Sequence, residues 1–503
     1  MKHVEKLLRG SALNVTDLAL KMAVTIVITP LMIHGLDLSG YGLWLLVMSV
    51  ASYCGLLDLG ITFSASRFTA FAIGAGNAAS QGEVLGIARQ YFRRIGGIIL
   101  LCSPLVVYLV GLMVVTPDQS KVEIALAIVL LTLAARFFFR LPLVLLRGAM
   151  RHDAIASASI IRTFMQSVVL IWLLKVNPSV IGVAVVQAMG ETVELGMLCL
   201  FSRRINAGVH VETKADGERT QLRRQMRSFA GTISIITVGE SLRMQSNPLI
   251  VNFHRGLEAV PIYSIGMRLI TMLQDVVSAI FGGPVLSIFS HLHGAGENEG
   301  LKRCFLRYSE WAAAFAACAV LGSTWLAPAF FHRWVGPKLE DASHVMFIVA
   351  LPYALHFSQY PAHNLLYSLN KSDYLARLSL IGGAISAVLS FIFGYWWGVH
   401  GVVGGLALEM LVSRLLVVPL FVSKVIDMSA WRYLLGHLIW PALKTISLPL
   451  LCVWGLREQV RSDYFNLACI GAVFALCSTL SFFLLALQQK DRAAIWQRLT
   501  RRK

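Results

Sequence analysis

The chain has 503 residues, 56% of them hydrophobic and 14% charged, with a mean hydropathy of +0.68; soluble domains average about 25% charged residues. Its 44 Lys+Arg outnumber 27 Asp+Glu, a formal net charge of +17, yet nucleic-acid binders that basic are not oily along their whole length. The composition excludes a secreted, disulfide-stapled or nucleic-acid-binding globule and leaves a polytopic helical membrane protein.

Met1 to Gly10 carries Lys2, Glu5, Lys6 and Arg9. The apolar run behind it is span-length and lacks an A-x-A cleavage site, so it reads as a retained first membrane helix rather than a signal peptide. Fourteen apolar runs follow one another in chain order: 10–33, 41–66, 92–115, 122–146, 154–174, 179–202, 228–253, 262–290, 305–331, 343–369, 374–397, 400–423, 433–456 and 464–487. Each covers about 30 Å of hydrocarbon at roughly 1.5 Å per residue. Two of them meet in a very short turn at Val399–His400. The eight cysteines are scattered, without a C-x-x-C pair or a histidine at zinc spacing, and read as buried filler. His291 and His293 carry no metal reading.

With the N-terminus inside, 29 basic residues fall on the cytoplasmic side and seven in the outer loops. This asymmetry sets the orientation and, with an even helix number, puts both termini in the cytoplasm. The tail Arg498, Arg501, Arg502, Lys503 reads as a topology and lipid-surface anchor. The outer loops are too short to carry the sugar site of a membrane glycosyltransferase or polymerase, and no G-x-x-x-x-G-K-[ST] occurs.

An ordered series of matches recurs at an offset near 219 residues. Pro30-Leu31, Gly35-Leu36-Asp37 and Tyr41 match Pro248-Leu249, Gly256-Leu257-Glu258 and Tyr263; Pro142, Leu145-Leu146 and Asp153 match Pro361, Leu365-Leu366 and Asp373; Gly182-Val183 matches Gly401-Val402. A six-helix unit repeated in the same orientation predicts two lobes related by an axis along the membrane normal. The expected division is an N-lobe over 1–204, a cytoplasmic linker over 205–227, a C-lobe over 228–424, and two further helices with the basic tail over 425–503. The fold class is thus all-α, with about fourteen transmembrane helices and a cleft between lobes as the place for a substrate.

Eight cations lie inside the runs: Lys21, Arg136, Arg140, Arg162, Arg243, Arg268, Arg414 and Lys444. Facing lipid, each would cost about 2.5–3.5 kcal/mol even on a lenient scale, so they must face a polar interior or pair. Acids at depth include Asp17, Asp58, Glu191, Glu194, Glu240, Asp275, Glu310 and Glu409. Asn14, Asp17, Lys21 and Thr25 form one stripe, Glu240, Arg243 and Asn247 another, and Arg268 and Asp275 share a face. Arg136 and Arg140, at i and i+4, are expected to stand together near mid-membrane, where like charges call for water or an anion. Arg162 has Glu191 and Glu194 as candidate partners, and for Glu240–Arg243 a local ion pair and a substrate role both stand. Arg414 is expected to snorkel from an inner helix end, and Arg67 to be a topology charge. His356 and His363 share a face at i, i+7; proton coupling and hydrogen bonding within the bundle are the two readings.

The series Leu8-Arg9-Gly10-Ser11, Thr29-Pro30-Leu31, Gly40-Tyr41-Gly42-Leu43-Trp44, Leu57-Asp58-Leu59-Gly60 and Arg67 resembles the bacterial O-antigen and polysaccharide flippases of the MOP exporter superfamily (multidrug, oligosaccharidyl-lipid, polysaccharide). The resemblance implies a V-shaped pair of lobes with a cavity lined by the first, second, seventh and eighth helices, opening alternately to each side. It implies as cargo an oligosaccharide on undecaprenyl diphosphate, with cavity cations on the diphosphate: Lys21, Arg243 and Arg268, and further Arg136 and Arg140. Asp17, Asp58, Glu240, Asp275, His356 and His363 are the candidates for gating or ion coupling, with the coupling ion, proton or sodium, left open. No catalytic residue, metal or cofactor is expected. The expected partners are the lipid-linked oligosaccharide, membrane lipids, and a polysaccharide polymerase with its chain-length machinery, in the bacterial inner membrane. The alternatives are a lipid II-type flippase, a MATE-like multidrug antiporter and, in another class, a membrane glycosyltransferase or polymerase.

Overall fold

The computed structural model describes residues 2–75, 77–113, 119–206, 216–369 and 371–487. The basic tail and Lys214 of the cytoplasmic linker lie outside the described residues. Every described element is helical. In chain order they are α1 (Lys2–Gly55), α2 (Ile61–Gly74), α3 (Ala78–Met113), α4 (Gln119–Phe138), α5 (Leu141–Gly148), α6 (His152–Val176), α7 (Val180–Asn206), α8 (Asp216–Arg255), α9 (Val260–Phe281), α10 (Gly283–Gly294), α11 (Asn298–Val335), α12 (Ala342–Ser358), α13 (Tyr360–Ser368), α14 (Ser372–Val412), α15 (Val418–Val425), α16 (Trp440–Leu456) and α17 (Tyr464–Ser481).

The protein is a multi-pass membrane protein. Among the described residues, nine helical stretches are long and apolar enough to cross a membrane, or ten when α4 and α5, bent by 51° to each other, count as one span. Two stretches, Leu13–Asp58 with 46 residues and Ser372–Val425 with 54, are about twice the roughly 20 residues that one crossing needs, and each is broken near its middle. The breaks are at Asp37 (φ 60°, ψ 175°) and at Gly398 (φ 59°, ψ −133°), one residue from the expected joint. The seventh run falls on α8, whose apolar stretch is interrupted by Glu240 and Arg243. The tenth is cut at Gln359 into helices of 17 and 9 residues. The described residues of all fourteen expected runs therefore fall on helices or on short breaks within them.

Four of these runs are broken helices rather than the continuous spans expected. The second passes through a 3-10 turn, Leu56–Asp58, and two left-handed residues, Leu59 and Gly60. The fourth breaks between α4 and α5, the eighth at Gly282 and the tenth at Gln359. Three of the four resume on a proline in the first helical turn, Pro142, Pro284 and Pro361, where the missing N–H is not needed and φ is already helical. The α4–α5 and α12–α13 breaks lie 219 residues apart, judged by Pro142 and Pro361. Gly256 (φ 78°, ψ 179°), 219 residues beyond Asp37, has nearly the same backbone conformation.

The chain divides into two compact units, Met1–Val260 and Pro261–Lys503. In the first, α2, α3, α4, α5 and α8 share a core that includes Ile61, Val84, Phe92, Phe137, Val144 and Met226, and α1 packs on α6. The approach of α2 to α8 is close because Gly60 has no side chain: a Cβ there would stand 2.8 Å from the Ala230 carbonyl oxygen, and its φ of +64° disfavours any other residue. In the second unit α11 packs on α12 and α16. The two halves of α14 fold back on each other with Gly401 and Gly405 against the backbone of Phe393 and Ser390, and the Ser390 hydroxyl donates to the Val402 carbonyl at 2.8 Å. This is the small-xxx-small contact by which membrane helices approach closely.

Candidate functional site

In the first unit the antiparallel pair α6–α7 and the neighbouring α4 bring four charges together. Arg162 reaches Glu194 at 2.8 Å and Glu191 at 3.0 Å, so both expected acids are engaged. The second oxygen of Glu191 takes Arg136 at 2.5 Å. Gln187 donates to Glu191 at 2.9 Å and Gln166 donates to Gln187 at 2.6 Å. Glu191 is buried, and ions removed from water need this density of charge-assisted partners to be retained. A cavity of about 200 Å³ borders the network, lined by Ser52 of α1, Thr132 and Arg136 of α4, and Gln187 and Glu191 of α7.

Contrary to expectation, Arg136 and Arg140 do not share one helix face, though Arg140 still feels the charge of Arg136. The i, i+4 rule holds only within one helix, and α4 ends before Arg140. Arg136 turns to Glu191, while Arg140, at the break, donates to the Thr62 hydroxyl at 3.2 Å and lies 5.4 Å from the Phe137 ring. Thr62 in turn donates to Asp58 through its hydroxyl at 2.7 Å and its backbone N–H at 3.2 Å. Asp58 thus satisfies the start of α2, one of the orphaned donors that begin every helix, and Thr62 links it to Arg140. Two broken helices are joined through three side chains.

Lys21 and Arg243 are each held by an acid one turn away on the same helix. Lys21 reaches Asp17 at 2.7 Å, with the lysine side chain 51% exposed, and Arg243 reaches Glu240 at 2.8 Å with the arginine 3% exposed. Fully buried Asn247 donates to the Arg243 carbonyl at 3.2 Å. Elsewhere in the unit, the Tyr53 and Ser246 hydroxyls share a hydrogen bond of 2.5 Å, and Ser64 donates to the Met226 carbonyl at 2.9 Å. Arg67, expected to be only a topology charge, stacks on Phe229 with 4.4 Å to the ring centre.

In the second unit, Arg268 and Asp275 are exposed on α9, in keeping with a shared face. Arg414 departs from expectation: it is 3% exposed, not snorkelling, and stands in a π-helical turn, Ser413–Val417. Its guanidinium lies 2.9 Å from His363 Nε2. His356, before the Gln359 break, and His363, after it, keep their rings 5.9 Å apart. Glu310 is bonded to His437 at 2.7 Å. A larger cavity of about 370 Å³ between α11 and α17 is lined by small and aromatic residues such as Gly322, Phe474 and Phe482 and by no charged side chain.

Residues 94–343 match the family model described as polysaccharide biosynthesis protein. The chain is 23% identical over 279 residues to the uncharacterized membrane protein EpsK of Bacillus subtilis (strain 168), and that match spans about half of either chain, 54% of each. Among solved structures it is similar to a multidrug resistance MATE family transporter of the MOP superfamily. Against the inward-facing form the TM-score is 0.66 at 15% identity, covering 80% of this chain and 94% of that one; against the outward-facing form it is 0.64 at 16%, covering 84% and 95%. It is also similar to a MOP superfamily transporter from Pyrococcus furiosus described as having a binding pocket of reverse polarity, with a TM-score of 0.63 at 14% identity and coverage of 84% and 95%. At these identities the structures establish the fold alone, a MATE-like arrangement of helices.

Proposed function

Because residues 94–343 match the polysaccharide biosynthesis protein family model and the fold is that of MOP-superfamily transporters, we propose that the chain flips an undecaprenyl-diphosphate-linked oligosaccharide, an O-antigen or other surface-polysaccharide repeat unit, across the bacterial inner membrane by alternating access. The observation that carries this reading is the exposure of Lys21 and Arg268 on helices long enough to span. A cation turned toward lipid at that depth costs about 2.5–3.5 kcal/mol, whereas in a hydrated path it offers a diphosphate a charged hydrogen-bond donor. Lys21 keeps Asp17 as a local counter-ion until an anion arrives, and Arg243 keeps Glu240.

No bond is made or broken in such a step. The obstacle is the transfer of a diphosphate and sugars through hydrocarbon, and a polar path lowers it; we read the chain as a transporter rather than an enzyme. The product would go to a polymerase and its chain-length machinery on the outer side, and both termini would lie in the cytoplasm. A multidrug antiporter of the same fold, handling cations, would want acids where this chain exposes Lys21 and Arg268. A lipid II-type flippase shares the diphosphate chemistry and stays as the second reading.

The test is complementation of surface polysaccharide in a flippase-null strain, with membrane abundance measured alongside. Arg268→Ala should lower transport roughly ten- to a hundredfold at equal abundance, the equivalent of about 1.5–3 kcal/mol for a hydrogen bond to a charged group. Arg268→Lys, which keeps the charge and loses the planar fork, should fall between. Full transport by Arg268→Ala, or a loss that follows abundance alone, would remove Arg268 from the path.

A further inference from the structure

Two irregularities meet inside the second unit. The break between α12 and α13 sits at Gln359, and the π-helical turn Ser413–Val417 interrupts the helix running from α14 into α15. Gln359, fully buried, donates its amide N–H to the Arg414 carbonyl at 2.5 Å and so ties the break to the turn. π turns inside α-helices recur where function requires a helix to depart from regularity. Here the departure presents Arg414 to His363.

Arginine has five donors, no acceptor, and does not lose its proton in proteins. The 2.9 Å contact between Arg414 Nη1 and His363 Nε2 can therefore be a hydrogen bond in one way only: Nε2 carries no hydrogen, and the neutral ring holds its proton on Nδ1. We propose that His363 is a proton-binding site, and that the proton it takes up on Nε2 breaks the bond to Arg414 and loosens the join between the α12–α13 break and the π turn. On uptake the acceptor lone pair is consumed and the ring becomes a cation against a guanidinium that, buried at 3% exposure, has no water to retreat into. The two like charges then repel. Histidine is the side chain whose charge ordinarily changes between pH 5 and 8.

The surroundings supply what such a site needs. Next to His363 on its own run are His356, with its ring 5.9 Å away, and Tyr360, at 6.3 Å. The helix carrying Arg414 brings Glu409, buried five residues earlier, and the start of α14 brings Tyr374, near enough to Arg414 to feel its charge. α11 contributes Glu310, engaged by His437. α10 contributes His291 and His293, exposed in its last turn, and α15 contributes Lys424, also exposed. The Gln359 side-chain oxygen is buried without a hydrogen-bond partner among the described residues, an acceptor in place for a donor that enters once the join opens.

The experiment needs no transport assay, so its outcome is independent of the flippase reading. Purified protein in lipid nanodiscs is exchanged into deuterated buffer at pH 5 and at pH 8, and amide exchange over residues 359–364 is read by mass spectrometry after correction for intrinsic pH dependence. The wild type should exchange at least tenfold faster at pH 5. His363→Gln, which can accept from Arg414 at either pH, should show equal exchange at both; His363→Glu, which holds Arg414 as a carboxylate, should do the same and serves if the glutamine variant folds poorly. Equal exchange at the two pH values in the wild type, or a pH response that survives in either variant, overturns the proposal.

Discussion

Arginines at membrane depth are handled differently in the two units. In the first, Arg136 and Arg162 converge on Glu191, with Glu194 completing a set of two cations and two anions. In the second, Arg414 is bonded to an imidazole. The carboxylate lies between two opposite charges, whereas an imidazole accepts from arginine only while neutral. Two solutions to the same desolvation problem thus differ in kind: the first set is held by opposite charges, and the second by a neutral acceptor.

Three substitutions press on this contrast, in order of decreasing size. Glu191→Gln removes the buried acid that half-buried Arg136 and Arg162 share and leaves both short of a partner. Breaking a fully buried pair costs about 3–5 kcal/mol; with the arginines partly exposed the loss should approach the lower end of that range, read as a large loss of folded protein in detergent unfolding. A small effect would mean that Glu194 alone can hold both arginines. Thr62→Val keeps shape and removes the hydroxyl between Asp58 and Arg140; it should cost about 1–3 kcal/mol, the penalty for unsatisfied buried polar groups, read by the same unfolding assay. An unchanged midpoint would show that water replaces the hydroxyl at the join of the two broken helices.

The smallest effect is expected where water is plentiful. Arg151 forks onto Asp153 at 2.9 Å at the start of α6, ahead of the fifth apolar run, and this hydrogen bond holds the Asp153 carboxyl below its ordinary range. The sign follows: the contribution is fully present above the ordinary aspartate value of about 3.9, is lost only as pH falls through the depressed value, and is flat between pH 5 and 8. With the arginine side chain 41% exposed, screening limits the pair to about 0–1 kcal/mol. Asp153→Asn should therefore shift unfolding slightly, with no pH dependence from 5 to 8. A shift as large as that of Glu191→Gln would erase the distinction between buried and surface pairs.

What the sequence made legible follows from the range of the forces involved. The fourteen runs were readable because crossing hydrocarbon imposes a length and a composition on each segment by itself. Arg162 with Glu191 and Glu194 was readable because adjacent antiparallel helices joined by a short turn must face one another. Arg140 was misread because helical spacing was carried across a break, although Pro142 marked it; Pro284 and Pro361 marked two more. Arg414 with His363 was not readable: the bond joins the tenth and twelfth runs through a break and a π turn, and no local pattern encodes which turn of one helix meets which turn of another. The placement of Lys21 and Arg243 on their stripes was plain, but that each stripe supplies its own counter-ion depends on rotamers, for which spacing gives only the opportunity.

The turn at Asp37 has a practical corollary. Its φ of 60° with ψ of 175° lies where a side chain is crowded and glycine is at ease, and Gly256 adopts nearly the same angles. A residue held there stores about 1–3 kcal/mol of strain, so Asp37→Gly should raise thermal stability without touching any charge pair described above. Material of that kind would tolerate the detergents and long incubations that purification of a membrane protein demands.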